Sequence, residues 1–219
     1  MSIRAVSFVE GEFYHLYNRG NSKQKIFHDV EDHQRFTGLL YACNSTNSFS
    51  AFRLRKDQNL FDFERGKSLV AIGSYALMPN HFHILAAELI DGGISKFMQK
   101  LSTAYSMYYN KKYDRVGGLF EGKFKSEHAG EDRYLKYLFS YINLNPVKLI
   151  DREWKTNGIR DRKATLYHLK TYAYSSYFDL SGDKRLQNGI LDMLPFPKYF
   201  SQVSLFSKEI FEWLDYKTC

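Results

Sequence analysis

Residues 69–88 read LVAIGSYALMPNHFHILAAE, two apolar runs separated by Pro79 and Asn80. Each run has the length of a β-strand, and Pro-Asn is turn chemistry of the kind that joins antiparallel strands in a tight hairpin. The stretch therefore predicts two antiparallel strands over residues 69–78 and 81–88, which we expect at the centre of a sheet.

Further strands are expected on either side of this hairpin. Residues 13–17 form a run rich in aromatic residues that ends at the turn signal Asn18-Arg19-Gly20, which indicates a first strand. Residues 116–128 begin with a glycine-rich part and continue with alternating basic and aromatic residues from Lys123. This pattern indicates a loop followed by a basic strand.

Three segments have the apolar spacing of amphipathic helices. They are residues 29–43, the segment that follows Gly92-Gly93 and ends near Tyr113, and residues 132–145, which Pro146 is expected to close. Helices that alternate with antiparallel strands predict an α+β fold. Residues 44–67 are polar with interspersed Phe, and here the pattern leaves both a short hairpin and a long loop open.

The length of 219 residues and the hydrophobic content of 44% are sufficient for a buried core. We predict a main domain over residues 1–180 with a helical extension of the same domain over residues 181–219. Cys43 and Cys219 are far apart and lack a metal-binding spacing, which favours a reducing, cytoplasmic compartment. The sequence contains no apolar run of transmembrane length, and polar residues interrupt its first 20 positions, so neither a membrane span nor a signal peptide is expected.

The charge of the chain favours a polyanionic partner. The formal net charge of +7 and the pI near 9.2 suit nucleic acid or an acidic membrane surface. Aromatic residues make up 17% of the chain, which leaves some rings available to stack on unpaired bases. The side chains expected to contact phosphates are Arg19, Lys111, Lys112, Arg115, Lys123 and Lys125. By composition alone, a merely solvated face explains the charges at 111–125 equally well.

Two histidines stand at the start of the second strand of the hairpin. Because side chains alternate along a strand, His81 and His83 share one face, about 7 Å apart, and Phe82 points to the other. Two imidazoles in this position can bind one divalent ion. An isolated His-x-His pair is more often a loop residue and a hydrogen-bonded surface group, so the metal interpretation needs support from elsewhere in the chain.

Tyr141 and Asn145 are one helical turn apart and therefore project from one face of the third helix. Taken alone, the pair is an ordinary core tyrosine and a C-terminal cap before Pro146. If both instead serve one site with His81 and His83, the amide oxygen completes a mixed nitrogen and oxygen shell that suits Mn²⁺ or Mg²⁺. Zinc would more often be bound by cysteine or a third histidine.

Four segments, in the same order, resemble the REP-associated tyrosine transposases, which are relatives of the single-strand transposases within the HUH endonuclease superfamily. The segments are FYHLYNRG at 13–20, MPNHFH at 78–83, GLFEGKFKS at 118–126 and YINLNPVK at 141–148. The resemblance extends through Ser175-Ser176-Tyr177 and towards residues 208–213, so it covers most of the chain. Tyr174 stands where relatives often have Trp, which affects the expected substrate preference rather than the expected reaction.

The resemblance implies an antiparallel sheet with the layout of the RNA-recognition motif, backed by helices. It implies that His81, His83 and Asn145 bind Mg²⁺ or Mn²⁺ and that Tyr141 is the nucleophile, within an HUH transposase-like catalytic domain at residues 1–180. Attack by Tyr141 would form a 5′-phosphotyrosine and a free 3′-hydroxyl, so that single-stranded DNA near a hairpin or palindrome is nicked and rejoined. Lys148 is a candidate for the positive charge that such a reaction needs beside the phosphate.

The implied partner is single-stranded or hairpin DNA in the bacterial cytoplasm, at the nucleoid, and both a monomer and a homodimer are compatible with the sequence. Two other functions stay open at this point. The chain could be a domesticated DNA-binding protein that no longer cleaves, although the intact His81, His83, Tyr141 and Asn145 argue against this. It could also be a metal-dependent hydrolase that uses an activated water, in which case Tyr141→Phe would retain turnover.

Overall fold

The computed structural model describes residues 7–48, 59–199 and 203–212. In chain order the sheet and its helices are β1 (Phe13–Arg19), α1 (Val30–Ala42), β2 (Val70–Met78), β3 (His81–Glu88), α2 (Gly93–Lys112), β4 (Lys125–His128) and α3 (Asp132–Leu144). The C-terminal part adds α4 (Trp154–Asn157), α5 (Arg162–Thr171), α6 (Tyr177–Leu180) and α7 (Val203–Glu212). Short 3-10 turns lie at Asn21–Lys23, Leu60–Asp62, Asn145–Leu149 and Leu186–Ile190.

Within the described residues, β1 to β4 form one antiparallel sheet in the order β2-β3-β1-β4. Helix α1 connects β1 to β2, and α2 connects β3 to β4. This order and connectivity are those of the RNA-recognition motif. The predicted α+β fold, an antiparallel sheet of this layout backed by helices, is therefore confirmed.

The expectation that both strands of the hairpin lie at the centre of the sheet is wrong for β2, which is an edge strand. A later segment of the chain runs along its outer side: the N–H of Leu77 donates to the carbonyl of Tyr174 (2.9 Å), and the N–H of Ser176 donates to the carbonyl of Tyr75 (2.9 Å). All of β2 is consequently buried. The apolar sequence of β2, which predicted a central strand, is explained by the segment that covers its outer side.

One face of the sheet, which we call the α1–α2 face, carries large apolar side chains under those two helices. Leu16 and Phe82 are fully buried there against Phe36 of α1 and Tyr105 of α2. The rings of Phe36 and Phe82 lie 4.9 Å apart. Helix α1 begins after Asp29, whose carboxylate accepts the N–H of Asp32, as its acidic start predicts.

The opposite face, which we call the α3 face, carries smaller apolar residues where α3 covers it. Ala71, Ala76 and Ala87 pack with Phe139 and Ile142 of α3 in a second core. Because alanine side chains are short, the helix lies close to the sheet. Its tyrosines are thereby brought within contact distance of the polar side chains that β1 and β3 place on this face.

An irregularity in β2 preserves the division between the two faces. Pairing with β3 shifts between Ile72 and Ser74, so that Gly73 lies in a β-bulge. A Cβ atom at Gly73 would lie 2.8 Å from the ring of Phe196, which leaves no room for a larger residue. Because of the bulge, Ile72 and Tyr75 both point into the α1–α2 core, which strict alternation would not allow.

A buried polar network fixes α3 against β2. The Asn143 amide donates to the Ser74 hydroxyl (3.0 Å) and accepts from the Ser176 hydroxyl (2.9 Å). The Ser176 hydroxyl oxygen also accepts the N–H of Tyr75 (2.9 Å). Since unpaired polar groups are costly to bury, this network specifies how α3 lies on the sheet. It also gives the Ser175-Ser176 segment a structural role.

Two boundaries differ from the sequence-based expectation. Strand β4 begins at Lys125, so Lys123 lies in the loop before it. Helix α3 ends at Leu144, but Pro146 does not stop the helical path, because the 3-10 turn Asn145–Leu149 continues it. Proline is tolerated in the first turn of a helical segment, where its missing N–H would have no partner.

Several expectations concern residues outside the described ranges. Of residues 44–67, Leu60–Asp62 form a 3-10 turn, whereas residues 49–58 and Cys219 lie outside the described residues. The division into residues 1–180 and 181–219 stays a prediction, and Ile190 and Phe196 from the second part pack into the two cores. No helix in the described part of the chain is long and apolar enough to cross a membrane.

Candidate active site

The two histidines of β3 lie on the α3 face. Their ring centroids are 5.0 Å apart and their planes are nearly perpendicular. Phe82 between them is fully buried on the α1–α2 face. The strand therefore places His81 and His83 together, in the arrangement expected from the alternation of side chains along a strand.

The turn before β3 orients the first of these imidazoles. The Nδ1 atom of His81 lies 2.7 Å from the amide oxygen of Asn80, and the amide nitrogen of Asn80 donates to the carbonyl of Lys23 (3.1 Å). Since an amide oxygen only accepts hydrogen bonds, Nδ1 of His81 carries the proton. The lone pair on Nε2 is then left for another partner. Asn80, which the sequence indicated only as a turn residue, thus has a second role.

Both imidazoles are held in the neutral form. Burial lowers the pKa of His81 to about 4, assisted by the positive charges of Lys148, Lys155 and Arg19. Burial also lowers the pKa of His83 well below its usual range, together with the neighbouring His15 and His81 rings. Neutral imidazole is the form that binds metal ions, so both side chains could act as ligands near neutral pH.

Tyr141 projects from α3 towards this histidine pair. Its ring centroid lies 5.6 Å from that of His83 at an interplanar angle of 74°. Tyr137, one turn earlier, stacks on Tyr141 at 5.8 Å. The Nζ atom of Lys155 lies 3.9 Å from the centroid of the Tyr141 ring, at cation–π distance. The tyrosine is half-buried, between the sheet and this ammonium group.

Asn145 follows one turn after Tyr141 and is 2% exposed. It is the C-terminal cap of α3, and its amide nitrogen donates to the carbonyl of Tyr141 (3.4 Å). This is the capping position that the sequence left open as an alternative. The hydrogen bond uses the nitrogen, and the amide oxygen is the atom that the metal interpretation requires.

The donor set fits a hard divalent ion. Two neutral imidazoles and one amide oxygen are nitrogen and oxygen ligands that leave further positions for water and phosphate oxygens, as Mg²⁺ and Mn²⁺ require. In residues 7–48, 59–199 and 203–212, no group of three or more His, Cys, Asp or Glu side chains is arranged to hold a metal. The expected set contains only two side chains of those types.

Positive charge gathers around the histidine pair. Arg19, Lys148 and Lys155 all lie near enough to lower the pKa of His81 electrostatically. Arg19 also forms an exposed ion pair with Glu121. Arg19 and Lys148 were expected from the sequence, whereas Lys155 was not. No local pattern indicates Lys155, because α4 reaches the site only through the fold.

The remaining basic residues are distributed differently. Lys123 and Lys125 are exposed at and before the start of β4, and Lys125 pairs in register with Tyr17 on β1. Lys111 lies in the last turn of α2, and Arg115 follows the end of this helix, with its guanidinium over the ring of Tyr109. The structure brings none of these four into contact with the histidine pair, so their role as phosphate contacts stays a prediction.

Lys112 is engaged inside the protein. Its Nζ atom lies 2.8 Å from carboxylate oxygens of both Asp29 and Asp32 and 3.2 Å from one of Glu31. Asp32 is fully buried, so the ammonium group is required there to neutralise it. The charge of Lys112 thus connects α2 to the start of α1. Its expected role as a phosphate contact stays a prediction, and a phosphate would have to compete with these carboxylates.

These features define an α+β protein in which a sheet of RNA-recognition-motif layout carries a histidine pair facing a helix-borne tyrosine. The family model described as "Transposase IS200 like" matches residues 10–145, more than half of the 219-residue chain. The chain therefore belongs to the IS200-like transposase family, which agrees with the resemblance found in the four sequence segments.

A solved structure supports the fold assignment. It is described as the REP-associated tyrosine transposase bound to a REP hairpin, and it matches with a TM-score of 0.53 at 11% sequence identity. The match covers 85% of this chain and 90% of that chain. At this identity the likeness concerns the fold. No curated protein matches the chain.

Proposed function

We propose that this protein nicks and rejoins single-stranded DNA through a covalent bond to Tyr141. In this proposal His81, His83 and Asn145 hold Mg²⁺ or Mn²⁺. The observation that carries the proposal is the position of Tyr141: its ring lies 5.6 Å from the ring of His83, which in turn lies 5.0 Å from that of His81. A scissile phosphate between the tyrosine and the histidine pair would touch both.

The chemistry is an exchange of phosphodiesters. The Tyr141 oxygen forms a bond to phosphorus as the bond from phosphorus to the 3′-oxygen breaks; the phenol loses its proton and the 3′-oxygen gains one. The products are a 5′-phosphotyrosine and a free 3′-hydroxyl, so the reverse reaction rejoins the strand. When bound, the metal ion polarises the phosphate oxygens and makes phosphorus easier to attack.

The positive groups of the site have a defined task in this reaction. Lys155 lies against the Tyr141 ring, where its charge would stabilise the negative charge that develops as the phosphate is attacked. Lys148 and Arg19, whose charges help to lower the pKa of His81, would bind phosphate oxygens beside the histidines. To bind DNA, Arg19 would give up its ion pair with Glu121. Because this pair is exposed, it contributes little to stability, and breaking it costs little free energy.

The DNA is proposed to be a hairpin with a flanking single strand. The solved structure of similar fold is bound to a REP hairpin, and the chain belongs to a transposase family. The exposed Lys123 and Lys125, before and at the start of β4, add two further positive charges that would contact phosphates. Aromatic rings such as Tyr17, which faces the site at 6.0 Å from His83, offer stacking surfaces for an unpaired base.

A covalent-capture experiment tests the proposal. The protein is incubated with Mn²⁺ and a library of hairpins with labelled single-stranded flanks, and we expect a protein–DNA adduct together with a fragment that ends in a 3′-hydroxyl. Tyr141→Phe should bind the same DNA but form no adduct, because phenylalanine keeps the ring and removes the attacking oxygen. Tyr137→Phe, which changes the stacked neighbour one turn earlier, is the matched control and should retain the adduct.

The outcomes separate the three functions. Binding without any adduct or cleavage would favour a DNA-binding protein that does not cleave. Cleavage by Tyr141→Phe at the rate of the unmodified protein would favour a hydrolase with an activated water. An adduct that maps to Tyr137 would move the nucleophile by one turn of α3.

A further inference from the structure

His15, in the middle of β1, contacts the second histidine of the proposed metal site from the neighbouring strand. Its Nε2 atom lies 2.9 Å from Nδ1 of His83, and the two rings stack at 5.0 Å with an interplanar angle of 26°. His15 is 5% exposed and His83 is 7% exposed, so water competes little for this hydrogen bond. The contact is a diagonal cross-strand pair, because His15 is directly opposite Leu85.

A carboxylate stands on the other side of His15. Glu127 of β4 is directly opposite His15, and its Oε2 atom lies 3.9 Å from Nδ1 of His15. Two hydroxyls hold this carboxylate: Tyr17 donates to Oε1 (2.8 Å) and Tyr134 donates to Oε2 (3.1 Å). The adjacent His15 ring, assisted by these two hydroxyls, lowers the pKa of Glu127 to about 2, so the carboxylate is charged at physiological pH.

The carboxylate favours one arrangement of the protons in the two rings, although at 3.9 Å it forms no hydrogen bond with His15. A neutral imidazole has one N–H group, and a negative charge beside Nδ1 of His15 favours the proton on that atom. Nε2 of His15 then carries a lone pair and can only accept. With both rings neutral, the hydrogen bond then runs from Nδ1–H of His83 to Nε2 of His15, which leaves the lone pair of His83 on Nε2.

We propose that His15 is a positioning residue for the metal site, oriented by Glu127, and that it holds the His83 ring and its Nδ1–H tautomer so that Nε2 is presented as a ligand. The inference rests on the proposed function and adds to it a residue that holds one of the proposed ligands without binding the metal itself. Asn80 does the same for His81 from the other side, so both imidazoles have their Nδ1 atoms held by a partner. In other metalloproteins, removal of such a partner of a ligating histidine typically weakens metal binding by about 10- to 100-fold.

The tautomer can be measured in the metal-free protein. Long-range ¹H–¹⁵N correlation spectra of the histidine rings should show His83 protonated at Nδ1 and His15 protonated at Nδ1. In Glu127→Gln, which changes a half-exposed side chain and should leave the fold intact, His15 should lose its single tautomer. His83 protonated at Nε2 in the unmodified protein would overturn the proposal.

The metal affinity is the second measurement. Mn²⁺ binding followed by electron paramagnetic resonance should show about a 10- to 100-fold higher Kd for His15→Leu, as is typical when such a partner is lost. His15→Gln should largely restore the affinity, because its side-chain oxygen can accept the Nδ1–H of His83. His128→Gln is the matched control: His128 belongs to another His–Glu pair of the same sheet, 2.7 Å from Glu12, and should bind Mn²⁺ as the unmodified protein does.

The two measurements distinguish the inference from the function on which it rests. If the unmodified protein shows the Nδ1–H tautomer of His83 but binds no Mn²⁺, the proposed metal site fails and the positioning of His83 stands. If Mn²⁺ binds and His15→Leu binds it equally well, the positioning role fails and the metal site stands. Three imidazoles coordinated directly to Mn²⁺ would make His15 a ligand and would also overturn the proposal.

Discussion

The two faces of the sheet are built by the same strands but have opposite chemistry. On the α1–α2 face, Leu16 and Phe82 are fully buried under two long helices, and the core between sheet and helices consists mainly of apolar and aromatic side chains. On the α3 face, the same strands present His15 and His83, and a single helix covers them with tyrosines. One residue along β1 or β3 separates the hydrophobic core from the candidate site.

This difference shows how a small domain can separate stability from chemistry. Because side chains alternate, β3 contributes Phe82 to the core and its two neighbours to the site without any loop. The two histidines proposed as ligands therefore lie on a strand that is paired on both sides, by β1 and β2, and that has little freedom to move. Substitutions one position apart are expected to have effects of different kinds.

The largest effect is expected from adjacent substitutions in β3. Phe82→Ala removes a fully buried ring from the α1–α2 core and should lower the free energy of unfolding by about 3–5 kcal/mol. His81→Ala removes a side chain from the α3 face and should abolish the covalent adduct while the chain remains folded. Urea denaturation followed by circular dichroism, with the adduct assay run in parallel, measures both.

Similar behaviour of the two variants would contradict a division of roles between the two faces. His81→Ala with a loss of stability as large as that of Phe82→Ala would mean that the histidine belongs to the core rather than to a site. A folded Phe82→Ala without adduct formation would mean that the two faces are coupled through β3.

The sequence predicted this division well because it is a local property of the strands. The 69–88 hairpin and the shared face of His81 and His83 follow from alternation, and the helices follow from their apolar spacing. The edge position of β2 could not be predicted in this way, because residues 174–176 cover it from about a hundred positions away in the chain.

The second effect concerns the basic residues, because the lysines near β4 are exposed whereas Lys112 is ion-paired between α1 and α2. Replacing both Lys123 and Lys125 with Gln should reduce the slope of log Kd against log salt by about 1.4 for single-stranded DNA, if each contacts one phosphate. Lys112→Gln should leave the slope unchanged, because that ammonium group is already surrounded by the three carboxylates at the start of α1. Fluorescence anisotropy at several salt concentrations provides the measurement.

Lys112→Gln should also lower the free energy of unfolding, because it leaves the buried Asp32 without its cation. If Lys112→Gln reduced the salt slope as much as the replacement of Lys123 and Lys125, Lys112 would have to contact DNA. Both protein variants are compared with the unmodified chain at a temperature at which all three are folded.

The smallest effect expected is a dependence of stability on pH. The unfolded chain binds a proton at His81 as the pH falls through about 6.5, whereas the folded chain binds it only near pH 4, because burial lowers the pKa of this residue. The unfolded state thus gains protons first, and stability should fall as the pH falls from about 6.5 to about 4. His81→Gln should make this part of the stability curve shallower.

Part of the slope should survive in that variant, because burial also lowers the pKa of His83 and that of His33. Thermal melts at closely spaced pH values test this. A His81→Gln protein with an unchanged pH profile would show that the imidazole is not held neutral on the α3 face.

The parts of the site that the sequence did not indicate are those that depend on distant contacts. His15 and Glu127 lie on separate strands, and only the β1–β4 pairing shows that they are opposite each other. Lys155 reaches Tyr141 from α4, a four-residue helix with no pattern of its own. The charge of Lys112 alone predicts a phosphate contact, whereas its ion pair with Asp32 follows only from the packing of α1 against α2.

The cover on the outer side of β2 has a consequence for how copies of the protein can associate. An exposed strand edge invites another chain to add its own strands, which leads to domain swapping or aggregation. Here the Tyr174–Ser176 segment occupies one edge of the sheet. Within the described part of the chain the other edge is β4, which is four residues long and bears Lys125 and Glu127. A short charged strand is a poor template for pairing, so the sheet is protected at one edge by the chain itself and at the other by charge.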